Sequence, residues 1–461
     1  MKVYRAARFC LVIAALVTPS VAHAQAFGLN EIGTCAVGRG FAVTGAPCQD
    51  ASSIYWNPGA TNEGPKGFSI LAGAAAINVS GSFTRDSVLT RDYADIPQAI
   101  VPHIFLNYNT AGRMAFGAGL YVPYGLTSQW KSDFAGRFTA RKAELKTFYV
   151  QPNVSFRINS KWSIGGGPTF GHSSVDLVKS LDLSEQQASA TVSFKQLGIA
   201  RRTEFGSAEL KGTGTTVGFN VGVFGKLNEQ WTMGARYLSK MIFDYTGATA
   251  NFTQVPTGLT LAGGNPLSLP AGTPVDALVA PQFVSGGLLA SQSVSTRIVH
   301  PDQFQLGFGY KYKPDLLVSF DYAWVGYRKF KQIDLAFTQT ALNQSLFEDY
   351  QNSSSIRLGL ERSWKAGWKA RAGFAAVASA APDVSVSALL PEQDRSYFNL
   401  GGALPAWHGV TLDVAYANVR TGGKRGRIED RSLRTQTADQ LNGGVYRLGA
   451  NVFSLSLKSS Y

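Results

Sequence analysis

Long apolar runs are scarce in this 461-residue chain. Past the first two dozen residues, no stretch reaches the roughly 20 apolar residues that a membrane-spanning helix needs, which excludes a helical membrane protein. Cysteine and histidine are sparse as well, at three and five. His103, His172, His300 and His408 are scattered along the chain. No Cys/His spacing suits a metal ion, and no nucleophile-elbow motif with an adjacent base is evident. Neither an enzyme nor a bound metal or cofactor is expected.

What the chain has is alternation. In the stretch 303–312, Phe304, Leu306, Phe308, Tyr310 and Tyr312 fall on one side, while Gln303, Gln305 and Lys311 fall on the other. The stretch 410–417 behaves alike. A period of two puts every second side chain on one face of a strand. Repeated a dozen or more times from about Phe68 to Tyr461, with polar residues on the hidden face, it does not describe a sandwich with a dry core. It describes an all-β transmembrane antiparallel barrel, apolar toward lipid and polar toward a lumen. Each crossing needs only about 9–11 residues, and closure leaves no backbone polar group unpaired in the bilayer.

The front of the chain agrees. Lys2, Arg5 and Arg8 precede the apolar run 9–17, and Ala22-His23-Ala24 follows. This is a secretory signal peptide over residues 1–24, with Cys10 inside its apolar part. Secretion plus alternation points to the bacterial outer membrane. The formal charge of +13 is spread over loops and lumen positions rather than gathered in a patch. Nucleic acid is therefore not an expected partner, whereas long-range attraction to lipopolysaccharide or acidic solutes is. Cys35 and Cys48 remain after cleavage, in a compartment where disulfides persist. A bond between them is the expectation, with two buried thiols as the alternative.

Short polar turns recur near residues 109–113, 158–162, 227–231, 312–315, 364–368 and 405–409, where Asn, Gly, Pro and Asp supply turn geometry. Longer stretches near 86–99, 126–145, 178–213, 253–294, 330–353, 379–394 and 418–442 separate them. Short periplasmic turns alternating with long extracellular loops predict about 14 strands, starting near 68, 100, 114, 146, 162, 214, 231, 295, 316, 354, 369, 395, 410 and 443. Trp162, Trp231, Trp364, Trp368 and Trp407 gather at the short turns, as an interfacial aromatic girdle would. The last strand, with Phe453, Leu455, Leu457 and Tyr461 on one face, resembles the signal read by barrel-insertion machinery. A barrel this wide cannot be filled by its own side chains. Residues 25–67, rich in Gly, Ala, Asn and Pro, are placed in the lumen as a hatch, and residues 68–461 form the barrel.

The hatch also carries a resemblance. Phe27-Gly-Leu-Asn-Glu31, Gly38-Arg-Gly40 and Asn57-Pro-Gly59 resemble the N-terminus of the FadL/TodX family of outer-membrane transporters for hydrophobic compounds. Blocks at 123–126, 134–138, 145–147, 151–153, 162–165 and Leu390-Pro-Glu-Gln-Asp-Arg395 follow in family order. The resemblance implies a fourteen-stranded barrel plugged by the hatch. It also implies a hydrophobic ligand (a long-chain fatty acid or an aromatic hydrocarbon), caught in an extracellular groove, passed to a deeper pocket and released sideways through a kink in the third strand. The family's Asn-Pro-Ala motif becomes Asn57, Pro58 and Gly59 here, and glycine loosens that backbone.

On this chain the kink is expected at Gly117, Gly119, Pro123 and Gly125, since Gly and Pro weaken ladders. The loop 253–294 has Asp276 as its only charge yet holds Leu259, Leu261, Leu267, Leu269, Phe283, Leu288 and Leu289. That suggests a capture surface, or else a lid packed on neighbouring loops. Lys179, Arg328 and Lys331 are the candidates to face a ligand carboxylate. Asp334 stands where the family favours a base, which keeps neutral hydrocarbons among the expected ligands. Arg157, Asp321, Arg357, Glu361 and Asp413 are expected to pair with one another or with the hatch. A monomer suffices for this route. A general diffusion porin is the rival reading.

Overall fold

The alternation closes into a cylinder. The computed structural model describes residues 27–86, 90–406, 409–426 and 443–461; the expected signal peptide, Trp407 and His408 lie outside them. Among the described residues, fourteen antiparallel strands form the wall. They are β1 (Gly67–Arg85), β2 (Ala99–Asn109), β3 (Met114–Tyr121 and Gly125–Gln129), β4 (Lys142–Arg157) and β5 (Trp162–Asp182). There follow β6 (Glu204–Lys226), β7 (Trp231–Leu238 and Met241–Gln254), β8 (Gln292–His300 and Gln303–Lys313), β9 (Leu316–Val325) and β10 (Ser353–Ser363). The wall ends with β11 (Lys369–Val377), β12 (Arg395–Pro405), β13 (Thr411–Thr421) and β14 (Gly444–Ser460). The seam is complete, since β1 pairs with β14 from Ser69↔Ser460 to Arg85↔Gly444.

The packing is inside out relative to a water-soluble protein. Along β4, Phe148, Val150, Val154 and Phe156 are exposed, while Thr147, Gln151, Asn153 and Ser155 are buried. Lipid replaces water as the solvent of the outer face, so apolar side chains are stable there and polar ones turn inward. On β14, Phe453, Leu455 and Leu457 face out as well. Trp231, Trp364 and Trp368 are exposed beside the short turns. Two strands extend further than their apolar bands suggest. β6 begins at Glu204 rather than near 214, and β5 continues to Asp182. Their upper parts keep period two but carry Asp176, Glu209 and Lys211, so they rise past the apolar band.

Residues 27–66 fill the lumen, and they touch every strand. Helix Thr34–Gly38 packs on β1, β11, β12, β13 and β14, and the Asn399 amide donates to Val37 O at 2.7 Å. The 3-10 turn Pro58–Glu63 lies on β2 to β6. Thr232 of β7 donates to Gly45 O at 2.6 Å, and Thr44 donates to Gln305 of β8 at 3.0 Å. Asp321 of β9 accepts from the Val43 and Thr44 backbones, and Arg357 of β10 donates to Asn30 at 3.0 Å. The hatch has little regular structure, so its buried backbone groups must find partners on the wall. The polar lumen residues provide them. Cys35 and Cys48 are joined by a disulfide within it.

The lumen charges pair as a network wider than the five residues named from sequence. Arg371 sits between Glu361 at 2.7 Å and Asp413 at 2.6 Å, and Lys369 and Lys458 add contacts of 2.9 and 2.8 Å to those carboxylates. Arg157 turns to the hatch instead, donating to Asn62 O at 2.9 Å.

Candidate functional site

The wall is broken between β2 and β3. Pairing of β2 with β3 runs from Asn109↔Ala115 to Ile104↔Leu120 and stops. Beyond Tyr121, Val122-Pro123-Tyr124 leave the ladder, since proline has no N–H to donate. The chain there pairs with the hatch instead of with β2. Leu29 N donates to Pro123 O at 2.9 Å, Gly28 bridges to Tyr124, and Gly125 N donates to Phe27 O at 2.9 Å. From Gly125, β3 resumes on β4 alone. Residues 99–103 of β2 keep β1 as their partner and face a gap. The gap closes above, where Asp95 N donates to Gln129 O at 2.8 Å and Ala94 bridges to Trp130.

A cavity of about 500 Å³ occupies this window and crosses the wall. Its outer rim includes Ile100, 59% exposed, and Phe148. Its inner lining includes Leu29, Val101, Leu145 and Val452. A few polar groups interrupt the apolar surface: Glu144 and Lys146 toward the outside, and Glu31, Glu392, Arg395 and Tyr397 within. An apolar pocket with a handful of convergent polar groups is the usual form of a small-molecule site. Glu392 accepts from the Ser379 hydroxyl at 2.5 Å and from Ala381 N at 2.9 Å. Burial nevertheless pushes its carboxyl up from the ordinary range, against the pull of Arg395.

The residues singled out from sequence are dispersed around this site. Pro123 and Gly125 stand at the break. Gly117 and Gly119 do not mark a bend, because they lie in the unbroken part of the ladder. They face inward, and a Cβ on either would collide with Ile54 of the hatch or with Phe105. Their smallness makes room for the plug. Asn57 caps the turn after it, accepting from Gly59 N at 3.2 Å and donating to Thr44 O and Val223 O. Gly59 is a close approach rather than a loosened joint. A Cβ there would stand 2.6 Å from Gly222 O of β6.

The leucine-rich loop packs on the neighbouring β5–β6 connection. Leu261 and Leu289 are buried with Leu183 and Phe194 of the β5–β6 connection and with Phe205 at the start of β6, and Leu267, Leu269 and Phe283 pack against that cluster. Leu288 is half-buried, and Leu259 faces outward. The loop is thus mainly a lid, because its side chains find one another before they find solvent. Lys179 donates to Gln344 at 3.2 Å, and Arg328 and Lys331 are exposed on the β9–β10 loop. None of the three lines the cavity. Asp334 is also exposed, held by Ser345 and Gln332 at 2.5 and 2.8 Å, which lowers its pKa, and it does not line the cavity. Glu31 and Arg395 occupy the pocket instead. Both belong to blocks that carry the family resemblance, which was the available signal.

The geometry has counterparts. The long-chain fatty acid transport protein of Escherichia coli O6:H1 is 24% identical over 416 residues, 88% of this chain and 89% of its own length. Outer membrane protein P1 of Haemophilus influenzae is 22% identical, with 98% of each chain aligned. The crystal structure of a Pseudomonas aeruginosa FadL homologue superposes over 95% of this chain with a TM-score of 0.75 at 21% identity. The Pseudomonas putida toluene transporter TodX gives 0.66 at 13%, also over 95% of this chain. Those two structures share its fold and cover all of their own lengths. Residues 15–461 match the family described as outer membrane protein transport protein (OMPP1/FadL/TodX), and the chain belongs to that family of the bacterial outer membrane.

Proposed function

We propose that this protein takes up hydrophobic compounds across the outer membrane and releases them sideways, through the window between β2 and β3. A transport role rather than a catalytic one follows from the family. The solutes are of the kinds that its relatives' names state, long-chain fatty acids or toluene-like hydrocarbons. The observation that carries the reading is the apolar cavity lying where β2 and β3 are unpaired. A solute inside it has lipid on one side and the lumen on the other. Each buried CH₂ is worth about 0.8 kcal/mol, so an eighteen-carbon chain resists an aqueous exit by on the order of 13 kcal/mol. Exit into the bilayer does not oppose that gain. A hatch in contact with all fourteen strands argues against an open porin. One chain completes hatch and window, which supports action as a monomer among lipid and lipopolysaccharide.

The test is to close the window. Gly125→Trp places a bulky ring against Leu29, whose Cδ1 lies 3.0 Å from the position of a Cβ there, and should abolish uptake of dodecane and oleate by cells while the barrel still folds and inserts. Undiminished uptake by the folded variant would defeat lateral release. A large steady conductance of the intact protein in planar bilayers would favour the porin.

A further inference from the structure

Away from the window, Arg236 is a buried cation with no acid at its guanidinium. It projects inward from β7 and lies over the ring of Tyr55 in the hatch, with Cζ 4.2 Å from the centroid. Its Nε donates to Asn220 of β6 at 3.2 Å. Among the described residues, neither Nη1 nor Nη2 has a hydrogen-bond partner. Gln305 of β8, also buried, is paired with Arg236 in the ladder. Its Oε1 accepts from Thr44, and its Nε2 is unpartnered too. Beyond Gln305 the next residue in register is Ala323 of β9, which adds no polar side-chain atom. The other buried arginines of this region are better served, although each keeps one unpartnered nitrogen. Arg357 stands in register with Asp321 and donates to Asn30 and Ser355. Arg39 donates to Ala42 O, Ala46 O and Ser319.

Arginine does not shed its proton in a protein, so burial cannot neutralise Arg236. A buried charge needs a partner of opposite sign as well as acceptors for its N–H groups. Side chains paired across neighbouring strands stand only about 4.5–5.5 Å apart at Cβ, so the free donors of Arg236 and Gln305 open on a common space. We infer that Arg236 and Gln305 form the seat of a small anion in the lumen, either a free halide or the carboxylate end of a solute. Water would satisfy the donors but not the charge. Seated there, the anion ties β7 and β8 together beside Tyr55, and Asn220 already holds the hatch backbone at Tyr55 O. This inference stands apart from the route of release.

Bromide is the probe. Crystals of the full-length protein soaked in sodium bromide should show an anomalous peak between Arg236 and Gln305. In detergent solution, chloride should raise the melting temperature above that in gluconate at equal ionic strength by about 2 °C or more, since a ligand of the native state stabilises it by mass action. Gln305→Glu sets the protein's own carboxylate beside Arg236. Arg236→Met removes the charge at similar volume, a change that is often neutral for stability. Both variants should fold, and both should lose the bromide peak and the chloride dependence. Decanoate added to the soak separates the two sources. A peak that decanoate displaces marks a seat for a solute's carboxylate end, a peak that persists marks a resident inorganic ion, and either supports the site. No peak and no chloride dependence in the wild-type protein would overturn the inference and leave water as the occupant. A chloride dependence undiminished in the folded variants would overturn it as well.

Discussion

Asp321 of β9 holds the backbone N–H of Thr44 at 2.8 Å, and the same carboxylate oxygen takes Val43 N at 3.0 Å. One wall side chain thus fixes two successive amides of the hatch. Asp321→Ala would leave both donors buried without an acceptor, at about 1–3 kcal/mol each. The hatch should loosen while the wall stands. Planar bilayers should show brief current steps with the variant that are rare with wild type, and amide exchange at 43–44 should accelerate. Unchanged exchange there would mean that the hatch is held by other contacts.

Gly59 meets Gly222 O too closely for a side chain. Gly59→Val should push the Pro58–Glu63 turn off β5 and β6, at about 1–3 kcal/mol for overpacking. Ser155 and Ser163 would then lose their shared acceptor, Gly59 O, which they reach at 3.3 and 2.7 Å. Differential scanning calorimetry should find Gly59→Ala intermediate and Gly59→Val lowest in melting temperature. Equal melting temperatures for all three would refute a steric role.

The window should be visible in solution without any ligand. Upper β2, residues 99–103, is paired on its β1 edge alone, while 104–109 is paired on both edges. Amides pointing to the open edge lack the barrier that a ladder imposes. Hydrogen exchange followed by mass spectrometry should therefore show faster uptake of deuterium over 99–103 than over 104–109. Uniform protection across β2 would indicate a sealed wall.

Glu348, buried in the β9–β10 loop, has an Oε2 atom with no hydrogen-bond partner. Burial, followed by the charge of Asp349, pushes its carboxyl well above the ordinary 4.5. The native state therefore keeps a proton that the unfolded chain releases. This contribution to stability is full below a pH of about 4.5 and is lost as pH rises through the native value. Glu392 has the same sign. Glu348→Gln should raise thermal stability at neutral pH and shrink the decline between acid and neutral conditions. A decline as steep as that of wild type would clear Glu348 of responsibility.

Local signals carried the wall, and non-local ones carried the site. The strand starts at Met114, Trp162, Trp231, Leu316 and Lys369 follow tight turns whose Asn, Gly and Pro announce themselves within a few residues. Pro123 announced the break in the same way. Yet the partner that replaced β2, residues 27–29 of the hatch, lies almost a hundred positions earlier, and no period in the sequence reports it. The leucines near 260 and 289 looked available because Leu183, Phe194 and Phe205, which cover them, are remote in the chain. For Arg371, inward placement was legible from alternation. Its bridging of Glu361 and Asp413 depended on the registers of three different strands.

A plug that grips all fourteen staves cannot be slipped in after the cask is hooped. The N-terminal segment must already lie among the nascent strands when β1 meets β14, and that last zipper then locks it in place. Maturation of this transporter is thus ordered by topology, with the cork seated first and the seam drawn shut around it.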